Sequence, residues 1–147
     1  VAAIAGFGKA AELAHRQRSK ESVRVGILRD RLEKNIFQKI PGARSNGDPK
    51  NRIYNTLNLS FDGLDGETLL MNLDLEGISV STGSACTAGS VEPSHVLLAM
   101  GLGEAQARSS IRFSLGRFTT DKEIDYVIEK LPVVVEKLRK ASTQKIR

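Results

Sequence analysis

The stretch that decides the fold is "SSIRFSLGRFTTDKEIDYVI", Ser109 to Ile128. Its first half alternates. Ile111, Phe113 and Leu115 fall on one side, and Arg112 and Ser114 fall on the other. That period of two is a strand with one apolar face and one polar face. Its second half changes period. Thr120 and Glu123 stand three apart, the spacing of a capping box. Ile124, Ile128, Leu131, Val135 and Leu138 then recur at helical spacing. Pro132 removes a backbone donor inside this helix and is expected to kink or split it.

Working outward, "IYNTLNLSF" (53–61) reads as a second strand, with Ile53, Asn55, Leu57, Leu59 and Phe61 on one side. After it, Asp62 or Asp65 caps a short helix carrying Leu69, Leu70 and Leu73, closed by Gly77. "ISVS" (78–81) reads as a short strand, and Pro93 suits the first turn of a helix through Val96, Leu97 and Met100. Residues 2–38 form one long helix or two stacked ones, ending before Pro41, with Val25, Leu28, Leu32 and Ile36 as the apolar stripe. "RSNGDPKNR" (44–52) is turn chemistry. The order helix, strand, helix, strand, helix, strand, helix predicts an α+β fold. It is a small mixed or antiparallel sheet with helices packed on one face.

Composition bounds the function. A chain of 147 residues that is 40% apolar is most simply one small domain, residues 1–147, with a core of its own. The net charge of +5 is spread along the chain, and aromatics make up 5% with no Trp. A base-stacking platform is hard to build from that, so no nucleic-acid partner is expected. No run approaches the ~18 apolar residues of a membrane span, so no membrane is expected either. "VAAIAGFG" lacks a basic leading region and reads as a helix start. The first residue is Val, which suggests a processed chain or a piece of a longer one.

The single cysteine, Cys86, excludes an internal disulfide and a Cys-based structural zinc site, and favours a reduced, cytoplasmic setting. It sits in "TGSACTAGS" (82–90), which has no large side chain. A segment of small residues tolerates many conformations and can carry a thiol between two stations. The plainer reading is an inert cysteine at a strand end. A Cys–His pair would need His95 to fold back, the default there is a surface helix residue, and His15 reads as a solvated helix residue. Arg112, with Arg117 at the strand exit, has the planar fork that binds a carboxylate, though an ordinary salt bridge is the bland alternative.

Three segments together carry a resemblance. "GISVSTGSACTAGSVEPSHVLLAMGL" and "ARSSIRFSLGRFTTDKEIDYVI" closely resemble the C-terminal part of the NifS/IscS-type cysteine desulfurases, class V aminotransferases. "YNTLNLSF" and "GFGKAAELA" are similar to that family too, so the resemblance runs from about Ile4 to Arg139. It implies the small C-terminal domain of an aspartate-aminotransferase-like fold, from an enzyme that uses pyridoxal 5'-phosphate to convert L-cysteine to L-alanine. Cys86 matches the nucleophile that takes the sulfur as a persulfide, and Arg112 matches the residue that holds the substrate carboxylate. Cys86 is also implied as a transient iron–sulfur ligand during delivery. The implied partners are a missing N-terminal large domain, a second subunit in a homodimer, and an iron–sulfur scaffold or other sulfur acceptor. No lysine here sits in the family's cofactor motif, so the isolated chain is expected neither to bind the cofactor nor to turn over cysteine. A stand-alone persulfide carrier or adaptor is the alternative.

Overall fold

The computed structural model describes residues 1–82 and 92–144. Four strands, β1 (Ala43–Ser45), β2 (Thr56–Phe61), β3 (Ser81–Thr82) and β4 (Ser110–Ser114), form one sheet in the order β1-β2-β4-β3. Every pairing is antiparallel, with Leu57 opposite Phe113 and Asn58 opposite Arg112. The helices are α1 (Ala2–Lys39), α2 (Gly66–Leu75), α3 (His95–Ala99), α4 (Glu104–Arg108) and α5 (Asp121–Gln144).

Strand alternation sorts the sheet. Leu57, Leu59 and Phe61 of β2 and Ile111 and Phe113 of β4 are buried in one core. That core is completed by Val25, Leu28, Leu32 and Ile36 of α1, Leu69 and Leu73 of α2, and Ile124, Ile128, Leu131 and Val135 of α5. The opposite face of β2 and β4 carries Thr56, Asn58, Ser60, Ser110, Arg112 and Ser114. The long helices therefore cover the apolar face and leave the polar face for other uses.

Local chemistry sets the element ends. Asp65 caps α2 by accepting from the Thr68 amide at 2.8 Å, and Gly77 closes it at φ +73. Gly66 has no room for a side chain: a Cβ there would sit 2.5 Å from the Arg108 carbonyl. The Thr120–Glu123 capping box forms in both directions, at 2.7 and 3.3 Å. Arg24 of α1 donates to the carbonyls of Arg117 and Thr119, tying the turn before α5 to α1. Arg52 grips Glu33 with both terminal guanidinium nitrogens and fastens the chain after β1 to α1.

Several expectations are corrected. Residues 53–55 lie outside β2, and Ile53 is 65% exposed. The chain turns at Tyr54–Asn55, so Ile53 never reaches the sheet. Ala43–Ser45, read in part as turn, becomes an edge strand because it finds Phe61, Ser60 and Leu59 as partners. The third strand is shorter than "ISVS" and begins at Ser81, while Ile78 packs in the core. A further helix, α4, stands between Gly103 and β4. Pro132 does not split α5. The Ile128 carbonyl that a proline leaves free accepts from Lys39 Nζ at 3.3 Å, so α1 supplies the missing donor.

Candidate functional site

Arg112 stands near the middle of the polar sheet face, because β4 is an inner strand. Asn58 lies opposite it on β2 and Ser81 opposite it on β3. Its side chain is half-buried, and its Nε is buried with no hydrogen-bond partner among the described residues. It also forms no salt bridge there, unlike Arg31, Arg44 and Arg52, each of which faces an acid. The ordinary-salt-bridge alternative thus finds no acid among the described residues. The polar-face positions of β2, β3 and β4 hold Thr, Asn, Ser and Arg, and no carboxylate.

Beside Arg112 lies a hydrogen-bond network that the sequence reading did not single out. Asn46, just past β1, donates from Nδ2 to Asn58 Oδ1 at 2.7 Å and to Ser110 Oγ at 3.0 Å. Its Oδ1 accepts from Ser60 Oγ and from Gln106 Nε2. Ser110 donates its hydroxyl proton to the Gln106 carbonyl at 2.8 Å. Ser60 and Ser110 are wholly buried, so the network costs little only because its members are paired. The alternation that turned Arg112 away from the core also turns Asn58 and Ser60. That was the available signal, but amides and hydroxyls carry no chemical signature by themselves.

The other candidates separate. Arg117 is not on the sheet: β4 ends at Ser114, and the Arg117 guanidinium lies 4.5 Å over the Phe118 ring and contacts Gln17 of α1 at 3.5 Å. His95 is the exposed first residue of α3, where Ser94 is the cap, and His15 is exposed midway along α1. Cys86 lies outside the described residues. Among those residues no group of three or more His, Cys, Asp or Glu could hold a metal, and no helix is long and apolar enough to cross a membrane.

Comparison with known proteins gives a consistent answer. The family model for class-V aminotransferases matches residues 1–127. The cysteine desulfurase NifS of Azotobacter vinelandii is 47% identical over 141 residues, covering 96% of this chain and 35% of that protein. The cysteine desulfurase IscS of Rickettsia typhi is 45% identical, over 95% of this chain and 33% of its own length. Among solved structures, a NifS-like protein from Rickettsia africae superposes with a TM-score of 0.80 at 34% identity, over 91% of this chain and 34% of that one. A putative sugar aminotransferase from Streptococcus pneumoniae, at 16% identity and TM-score 0.63, shares the fold. The chain thus spans about a third of the length of the relatives it matches.

Proposed function

Since the chain belongs to the aminotransferase class-V family, we propose that it is the small domain of a cysteine desulfurase. In this reading it binds the carboxylate of L-cysteine and presents the thiol that takes the substrate's sulfur. The observation that carries the reading is Arg112: a half-buried guanidinium on an inner strand, with no acid beside it among the described residues. A guanidinium fork offers a carboxylate two parallel hydrogen bonds, and a rigid strand fixes where they point. Cys86 follows Ser81, the neighbour of Arg112, by five residues. Five residues of chain span at most about 18 Å, which sets the upper limit on the distance from Ser81 to Cys86. The relatives named cysteine desulfurases, at 43–49% identity over nearly the whole chain, support the same assignment.

Cys86 acts as a thiolate. Its sulfur forms an S–S bond to the sulfur of cysteine as that sulfur's bond to carbon breaks. The electron pair of the broken bond stays on the carbon, which takes a proton and becomes the methyl group of alanine. The persulfide then passes to an iron–sulfur scaffold or another acceptor, and Cys86 is the thiolate that would hold a cluster iron in passing. Pyridoxal phosphate, which the family implies, does not fit the residues described here. No lysine and no carboxylate occupies the polar-face positions around Arg112, so neither an imine partner nor an acid for the ring nitrogen is at hand. In this proposal the cofactor, the large domain and the homodimer contact belong to a longer, cytoplasmic protein, and these 147 residues alone are inactive.

The test uses the full-length protein. L-Cysteine should yield alanine and reductant-labile sulfur, and Cys86→Ser should abolish both. Undiminished alanine formation by Cys86→Ser would overturn the assignment.

A further inference from the structure

We propose that Asn58 is a second carboxylate-binding residue, whose side-chain N–H groups complete the acid site that Arg112 begins. The inference rests on the reading of Arg112 as the residue that binds the substrate's acid.

The argument is a count of protons. The Gln106 carbonyl can only accept, so the one hydroxyl proton of Ser110 is spent on it. Ser110 must then accept from Asn46, which turns the nitrogen end of the Asn46 amide toward Ser110. The second hydrogen on that nitrogen goes to Asn58, which must therefore present its oxygen. The remaining places close consistently. Asn46 Oδ1 takes the Ser60 hydroxyl proton and one hydrogen from Gln106, and the other Gln106 hydrogen goes to Ser60 Oγ. Every donor of Asn46 and Gln106 is used, and the network holds Asn58 by its oxygen alone.

What remains on Asn58 is an NH2 group with no acceptor among the described residues. It belongs to the residue directly opposite Arg112 on the same face of the sheet. Side chains of such cross-strand pairs stand roughly 5 Å apart at Cβ, within reach of one small ligand. Ser81, the neighbour on the other side, cannot serve in this way, because its hydroxyl proton goes to the Thr82 carbonyl at 3.0 Å. Asn58 is also no partner for the guanidinium, since no hydrogen bond joins it to Arg112. Arg112 and Asn58 thus form a pair of donor groups without an acceptor among the described residues, and an acid with two oxygens satisfies both.

The experiment is titration calorimetry on the full-length protein, with L-alanine and L-alaninamide as probes. Asn58→Asp is the informative variant. It keeps the shape and the oxygen that Asn46 holds, but replaces the donors with negative charge. Asn58→Ala and Arg112→Gln accompany it. The expected result is that both Asn58 variants weaken L-alanine binding about tenfold or more while L-alaninamide stays within about twofold. Equal weakening of both probes would mean that Asn58 is only structural. Loss of L-alanine binding in Arg112→Gln with none in the Asn58 variants would overturn this inference alone. Unchanged L-alanine binding in Arg112→Gln would overturn the reading beneath it as well.

Discussion

Arg112 is available for binding because its neighbours decline it. The Asn58 oxygen is committed to Asn46, the Ser81 hydroxyl proton to its own strand, and among the described residues no carboxylate shares the face. Arg112→Lys keeps the charge but loses the fork. It should raise KM for L-cysteine about tenfold in the full-length protein, since a charged hydrogen bond contributes about 1.5–3 kcal/mol. An unchanged KM would contradict the assignment. Glu33 makes the opposite point, because its acid is fully used. The hydrogen bonds from Arg52 hold its carboxyl below the ordinary glutamate range, against the opposing effect of burial. Such a group adds stability above its unfolded pKa, about 4.3, and loses that contribution as pH falls through the lowered folded value. Glu33→Gln should therefore lower the melting temperature at pH 7, with the gap to wild type closing below about pH 4. A gap that stays as wide in strong acid as at pH 7 would remove this account. The orientation of Arg112 was legible from alternation alone. The absence of a partner among the described residues was not, because that depends on which strands flank β4.

At the scale of elements, α5 survives Pro132 because α1 ends where the free carbonyl needs a donor. This predicts a coupling. Lys39→Ala should destabilise the wild-type chain by about 0.5–1.5 kcal/mol, and much less in a Pro132→Ala background, where the helix satisfies Ile128 itself. Equal costs in both backgrounds would show that Lys39 and Pro132 act independently. Gly66→Ala is a steric counterpart. With 2.5 Å to the Arg108 carbonyl at the end of α4 and 3.2 Å to that of Ser110 on β4, the added methyl forces α2 away from both. A loss of more than about 1 kcal/mol is expected in denaturant unfolding. The cap at Thr120 and the stripes of α1 and α5 could be read directly, since each depends on neighbours in sequence, while the cap of α2 could be narrowed only to Asp62 or Asp65, of which Asp65 serves. β1 and α4 could not. Ala43–Ser45 is a strand only through its pairing with Leu59–Phe61, and Ala107 is the one buried residue of α4. The same logic misplaced Ile53, whose apolar character suited a strand that stops three residues short of it.

Across the whole molecule, the two halves of α1 differ. From Val25 onward its stripe is buried in the core, whereas no residue before Val25 is buried, and Ile4 and Phe7 are 77% and 79% exposed. With the chain spanning about a third of its relatives, this exposed stretch is available to the rest of the longer enzyme proposed above. The division of labour can be weighed directly by intact and peptide mass of the full-length protein after incubation with L-cysteine and pyridoxal phosphate, before and after reductant. The account predicts a gain of one sulfur atom on the peptide containing Cys86, removed by reductant and absent in Cys86→Ser. A gain that survives Cys86→Ser, or that maps to another residue, would contradict it.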